Sequence, residues 1–362
     1  HYLYERTLNT IILLQKESDK YYSVFNEINK ARLLYSKSMF QEALETLSKA
    51  EERAQLHQNY EALLIINKLE LEYLLRLNFP NMTEKELNHK HFIQNETIKK
   101  IRKITDQGSL FNLLKLRMTR RGMIRTEQQK KAMNDLMVNE LYLAASSDME
   151  NDFEIMKNHK LFQANYLMSV GDYNSAFNSY KELNGLFEEN PQLWLNPPVY
   201  YLTVLEGILD SLRSMDKYDE MPVFLQKLEK LKEGTSAEFQ LNISCLQYQY
   251  QLFPYLDKGM FSESYNITLS YRSQIEGKLG MLTSMRYSEY NLYSAIACFC
   301  VKKYDEAKSL LNRIILDRND EFFQIAKIIR LVRFITYYKL GEYVLVEYES
   351  RSIRRGLSLK RK

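Results

Sequence analysis

Glycine and proline are scarce, at 11 and 6 residues in a chain of 362, against average shares of about 7% and 5%. Sandwiches, barrels and doubly wound sheets use both residues in their turns, so the scarcity argues against all three. Cysteine is scarcer still. Cys245, Cys298 and Cys300 are too few for a disulfide framework. The last two share an apolar run, two residues apart, where a helix points them in different directions. They read as small core residues. No stretch reaches about 18 apolar residues, so no transmembrane helix and no membrane insertion are expected. Charge of one sign is not in excess either: 50 Lys and Arg face 46 Asp and Glu, a net of +4. That balance by itself predicts neither nucleic-acid nor membrane binding. Disorder is excluded from the other side, because 45% of the residues are hydrophobic. What remains is a long, all-helical chain. A reducing cytoplasm is the expected location, and the start at His1 rather than Met leaves a removed signal peptide open.

One local pattern recurs. A short polar stop ends an apolar helix, an aromatic follows, and a small residue stands three positions later. Phe40 with Ala43, Tyr173 with Ala176 and Tyr304 with Ala307 are clear cases, and Phe261 with Ser264 is looser. Tyr218 and Tyr343 keep the aromatic but lose the small residue. Intervals of 45, 43, 43 and 39 residues separate Tyr173, Tyr218, Phe261, Tyr304 and Tyr343. From Phe40 to Tyr173 is 133 residues, three intervals of about 44. Degenerate copies are therefore predicted near 82, where Leu77 to Met82 break one apolar helix, and near 124, after Arg121 and Gly122. The count predicted is eight helical hairpins.

The pattern has a physical reading. The stop ends helix A, with Gly at the left-handed position where it is present. The aromatic opens helix B and fills the hollow between A, B and the next A. The small residue one turn later lets A and B approach closely. Each hairpin leaves an apolar face that the next must cover. Ala307, Leu310, Leu311, Ile314 and Ile315 show such a stripe.

These anchors resemble the tetratricopeptide repeat, whose helix A carries a small residue about nine positions before the aromatic. Ala31, Ala164 and Ala295 stand there relative to Phe40, Tyr173 and Tyr304. The period near 43 is longer than that family's 34, and the proline that closes helix B is mostly missing. The overall style is similar to bacterial proteins of this type. The resemblance implies a right-handed α-α superhelix in which residues 19–358 form one continuous repeat domain. Residues 1–18 would be a capping helix or repeat remnant, and 359–362 a basic tail. It also implies a protein- or peptide-binding scaffold whose A helices line a concave surface.

No catalytic constellation accompanies the pattern. His89 and His91 are the only close histidine pair, and on a helix they diverge by about 200°. Metal motifs, phosphate loops and nucleophile elbows are missing. The Asn-x-Ser/Thr triplets at Asn81, Asn95, Asn242 and Asn266 are of a kind that chance supplies. The expectation is a non-enzyme with no cofactor and no metal.

Two features are candidates for binding. Between Lys99 and Lys131, eleven basic residues face only Asp106 and Glu127. This run, with Lys115, Arg117, Arg120, Arg121 and Arg125 at its centre, is either a solvated face or a patch for nucleic acid or another acidic partner. The latter would make the chain a regulatory module, the alternative function. Six further basic residues follow between Arg351 and Lys362. The second feature is the groove that the resemblance implies. Its positions are Asn29, Arg32 and Ser36 before Phe40, then Asn158, Asn165 and Ser169 before Tyr173. Thr203, Asp210 and Ser214 precede Tyr218, Tyr250 and Asp257 precede Phe261, and Glu289 and Tyr293 precede Tyr304. This polar set suits hydrogen bonding to an extended peptide or a helix. Before Tyr343 the same positions are Ile328, Val332, Ile335 and Lys339, an apolar strip that calls for a cover.

Overall fold

The structure is a computed structural model describing residues 2–15, 20–80, 82–121, 124, 126–145, 152–194, 198–316 and 324–358. It is all-helical: helix makes up 85%, and no strand occurs among the described residues. The chain opens with α1 (Tyr2–Gln15), α2 (Lys20–Ser36), α3 (Phe40–Leu56), α4 (Tyr60–Arg76) and α5 (Glu84–Arg121). Next come α6 (Glu127–Lys131), α7 (Asn134–Ala145), α8 (Phe153–Val170) and α9 (Tyr173–Glu189). The remainder is α10 (Val199–Ser214), α11 (Met221–Lys230), α12 (Ala237–Asp257), α13 (Phe261–Ile275), α14 (Ser284–Cys300), α15 (Tyr304–Asn312), α16 (Gln324–Leu340) and α17 (Tyr343–Ser358). Short 3-10 turns at Tyr218–Glu220 and Glu276–Met281 precede α11 and follow α13. The segment 359–362 lies outside the described residues.

One turn is used repeatedly. Two residues before α3, α4, α9, the 3-10 lead-in to α11, α13, α15 and α17 the backbone is left-handed: Ser38, Gln58, Gly171, Asp216, Gly259, Lys302 and Gly341 all have positive φ. The amide after that residue donates back five positions, as from Met39 to Leu34 O (3.0 Å), Met260 to Tyr255 O (2.8 Å) and Lys303 to Cys298 O (3.0 Å). The left-handed residue's own amide donates back three, as from Ser38 to Tyr35 O and Lys302 to Phe299 O. These bonds satisfy carbonyls that the helix end would orphan.

All six expected aromatics, Phe40, Tyr173, Tyr218, Phe261, Tyr304 and Tyr343, are the first residue of a helix or of its 3-10 lead-in. The small residues one turn later, Ala43, Ala176, Ser264 and Ala307, are completely buried, as are Ala31, Ala164 and Ala295. The aromatics fill the hollow only in part: Phe40, Tyr173, Tyr218 and Tyr304 are half-buried, whereas Phe261 and Tyr343 are exposed. At the helix start the aromatic side chain leans over the end of the preceding helix. Phe40 meets Tyr35 edge-on at 5.2 Å, and Tyr304 meets Phe299 at the same separation.

Helix boundaries fall near both expected turns, at 82 between α4 and α5 and at 124 between α5 and α6, but the pair of helices expected between them needs correction. A helix does start at Glu84, fixed by a capping box in which Thr83 N–H donates to Glu86 Oε2 (2.8 Å) and Glu86 N–H to Thr83 Oγ1 (3.3 Å). It then runs unbroken for 38 residues to Arg121, so no second helix fits before 124. It lacks proline throughout, and its one glycine, Gly108, sits mid-helix. An unforeseen turn at Gln58 divides α3 from α4.

The chain falls into two compact units. Unit 1 comprises 1–111, 135–160 and 183–198, and unit 2 comprises 112–134, 161–182 and 199–362. In unit 1, α2, α3 and α4 pack around Val24, Ile28, Leu47, Ile66 and Tyr73. Buried alanines at 31, 43, 50 and 54 allow the close approach. In unit 2, α10 pairs with α11, α12 with α13, α14 with α15, and α16 with α17. The first helices of these pairs also touch in series, α10 with α12, α12 with α14 and α14 with α16. Two glycine and tyrosine positions shape this packing. Gly207 on α10 lies under the Tyr180 ring so closely that a Cβ there would stand 2.2 Å from it. On α12, the fully buried Tyr248 shares hydrogen bonds with Thr268 Oγ1 (3.2 Å) and Ser294 Oγ (2.9 Å). Cys245 and Cys298 are buried, and burial pushes both thiols up to about 12, which keeps them protonated and unreactive.

Candidate functional site

Three successive first helices of unit 2 carry a connected set of charged and aromatic side chains. Arg286 on α14 donates to both carboxylate oxygens of Glu206 on α10, each at 2.7 Å, and to Glu289 Oε2 at 2.9 Å. Glu289 also accepts from Gln249 Nε2 on α12 (3.3 Å). One residue further along α12, Tyr250 Oη donates to Asp210 Oδ1 on α10 at 2.6 Å. Further along, Arg213 forms a two-pronged pair with Asp257 (2.8 and 2.9 Å) while its guanidinium lies 3.6 Å from the centre of the Phe253 ring. Tyr293 packs edge-on against that ring at 4.8 Å.

The electrostatics follow from burial. Four carboxylates, Glu206, Asp210, Asp257 and Glu289, share the seam with three cations, Arg213, Arg286 and Lys115. Burial, then the neighbouring Glu206, raises the Asp210 carboxyl to about 6 against the pull of Tyr250, Arg213 and Arg286. Glu289 is also raised, by burial first. Burial would lower Arg286, but Glu206 and Glu289 hold it above its ordinary range. Burial lowers Lys115 against the opposing pull of Glu206 and Asp210. Tyr250 is pushed well up by burial and by both carboxylates, so its hydroxyl stays a donor.

The seam thus gathers five groove residues inferred from spacing: Asp210, Tyr250, Asp257, Glu289 and Tyr293. Asp210 and Tyr250 are each other's partners, while Arg213 holds Asp257, Arg286 and Gln249 hold Glu289, and Phe253 packs on Tyr293. Tyr250 is buried, and Asp210, Glu289 and Tyr293 are half-buried. Three others are buried and engaged in helix bonds or packing, contrary to the open groove expected. Asn158 donates to Ile104 O (3.5 Å), Asn165 to Leu161 O (2.8 Å) and Ser169 to Tyr166 O (2.7 Å). Thr203 donates to Val199 O at 3.1 Å. Asn29, Arg32, Ser36 and Ser214 are exposed, the first three on α2 in unit 1. On α10, α12 and α14 the physical reason is that adjacent first helices touch one another along these positions. Spacing alone missed Glu206, Arg286 and Gln249. The one available signal was Arg286, three residues before Glu289 on the same helix face.

The basic patch is also partly absorbed. Besides Lys115, Arg117 turns inward to donate to Ala132 O (3.0 Å). Arg125 lies outside the described residues, as do the side chains of Arg120 and Arg121. Lys100 spans Asp152 (3.9 Å) and the Tyr60 ring, while Lys99 and Arg102 are exposed beside Glu96 and Asp106.

Two open surfaces adjoin this framework. A groove of about 620 Å³ is lined by Tyr218, Met221, Pro222, Tyr250, Pro254 and Tyr255, so Tyr250 borders it as well as the seam. On α16, Ile328, Leu331, Ile335 and Tyr338 are exposed by 45%, 52%, 38% and 58%. Two of them, Ile328 and Ile335, belong to the apolar strip that spacing marked. No group of three or more His, Cys, Asp or Glu residues suited to a metal occurs among the described residues. No described helix is long and apolar enough to cross a membrane. Comparison with family models, with curated proteins and with solved structures gives no match.

Proposed function

We propose that the protein is a non-catalytic binding scaffold, a tetratricopeptide-like solenoid that holds a protein or peptide partner on the first-helix face of unit 2. The observation that carries this reading is the contrast along that face. On α10, α12 and α14 the polar positions pair with one another, which makes a rigid wall. On α16 the corresponding stripe is apolar and open to water. A stripe of large side chains left exposed at helical spacing is the mark of an interaction surface. The seam supplies the stiffness that limits the entropy lost on binding.

Affinity capture with the intact chain from its native source tests the reading. The comparison is between the parent chain and Leu331→Ser/Ile335→Ser, two exposed positions whose change leaves the core intact. A partner captured by the parent and lost by the variant supports it. Retention of every partner would remove the α16 face as the binding surface.

A further inference from the structure

The binding reading leaves the partner's chemistry open, and α16 narrows it. Ile328, Leu331, Ile335 and Tyr338 are spaced three, four and three residues apart, the register of a coiled-coil seam. They occupy the side of the helix away from the buried Ala326, Ile329, Thr336 and Tyr337. A straight helix of 17 residues runs about 25 Å, long enough to seat another helix along its whole length.

Charge then selects among helices. No acidic residue occurs on α16, which carries Lys327, Arg330, Arg333 and Lys339. From 324 to 358 the sequence has seven basic and three acidic residues, so this hairpin alone carries a net charge equal to that of the whole chain. All three acids are engaged. Glu349 is buried beside Arg330 and Arg333 (3.7 and 3.8 Å), Glu342 pairs with Lys308, and Glu347 pairs with Arg351. At the surface, Lys339 and Arg354 have no ion pair among the described residues. A second copy of the chain would set this positive hairpin against itself, whereas a helix with acidic flanks would meet complementary charge.

Resting on the scaffold reading, we infer that the open face of α16 docks an amphipathic helix that presents an apolar stripe flanked by Glu and Asp. The apolar stripe supplies the burial. Lys339, near one end of the exposed stripe, sets the preference for acid. Coulombic preference of this kind weakens with salt, because exposed charges are screened within about 8 Å at physiological ionic strength.

The test is a display library of 18-residue helices with fixed Leu and Ile at the first and fourth heptad positions and random charge at the flanking ones, selected on the full-length protein. Enrichment of acid-flanked sequences is expected. Binding of the best one should fall at least tenfold with Leu331→Ser/Ile335→Ser, and several-fold with Lys339→Glu. Circular dichroism and thermal melting of each variant should match the parent, which separates lost binding from lost folding. Helices enriched at the same stripe without charge preference, or with basic flanks, would overturn the inference and leave the scaffold reading standing. No enrichment on the parent over the double variant would overturn the inference, with the scaffold reading then judged by the capture experiment alone. Dimerisation in sedimentation, abolished by the same double variant, would assign the face to a second copy and overturn the inference as well.

Discussion

Tyr250 on α12 donates its hydroxyl to the Asp210 carboxylate on α10 at 2.6 Å, joining two successive first helices of unit 2 through a part-buried bond. Asp210 has Glu206 one turn before it; of the nearby cations Arg286, Arg213 and Lys115, Arg213 is already paired with Asp257. This corner therefore has a surplus of acid. Tyr250→Phe removes the donor without changing shape. It is expected to destabilise unit 2 by about 1–3 kcal/mol in urea unfolding, because a part-buried charged acceptor is left unmade.

The raised carboxyl ties stability to pH. Asp210 titrates near 6 in the fold against an ordinary 3.8, so between those values the folded chain binds the extra proton. Stability contributed by this group is intact at low pH, declines as pH rises from 3.8 towards 6, and the loss is complete above that. Asp210→Asn removes the ionisation and keeps an acceptor for Tyr250. The variant should be more stable than the parent at pH 7.5, by on the order of 1–3 kcal/mol, with the gap closing by pH 4. Thermal melts across that range check it, and a gap that widens on acidification would contradict the assignment.

Breaking the ion pair across α10 and α14 should cost more. Arg286→Met strands the carboxylates of Glu206 and Glu289 and is expected to destabilise by about 3–5 kcal/mol. Adding Glu206→Leu should recover part of that loss. A double-mutant cycle measures the coupling, and simple additivity would show that the pair does not act as a unit.

Gly207 is fixed by contact rather than by backbone angle. Its missing Cβ is the space that the Tyr180 ring fills, so Gly207→Ala is expected to cost about 1–3 kcal/mol or more by overpacking. Gly259 is the reverse case: φ is +72° and a Cβ would meet nothing closer than 4.0 Å. There Gly259→Ala should cost about 1 kcal/mol from strain alone. Lys302 occupies the same left-handed position in the next turn, at φ 64°, and Lys302→Gly should stabilise slightly. Paired denaturation curves distinguish the two mechanisms.

Lys115 separates structure from docking in the basic run. Because it lies half-buried near Glu206 and Asp210, Lys115→Ala should lower the melting temperature at low and high salt alike. A salt-sensitive loss of nucleic-acid affinity, without loss of stability, would instead make it a phosphate contact.

The turns were legible because they depend on residue size at fixed offsets. Ala43, Ala176, Ser264 and Ala307 mark the point where helices close up, and each is fully buried. The turn at Gln58 was not legible, since Tyr60 follows Phe40 by only 20 residues and so falls outside the interval of about 43 that marked the other turns. The break expected near 124 falls where α5 ends, but nothing in the spacing showed that Glu84 to Arg121 would be one helix rather than two. Spacing placed Asp210, Tyr250, Glu289 and Tyr293 on related faces of three helices. It could not tell a wall that faces a partner from one whose side chains satisfy each other. That distinction depends on Glu206, Gln249 and Arg286, which lie on adjacent helices and belong to no repeat position. The α16 strip was legible as apolar, while its exposure required the fold.

The binding face is tested most directly by amide hydrogen exchange of the full chain with and without a partner obtained by capture. Slowed exchange should concentrate in 324–340, with the α10, α12 and α14 seam already protected in the free chain and little changed on binding. Protection confined to helices outside unit 2, with 324–340 exchanging at its free rate, would contradict the placement of the partner on this face.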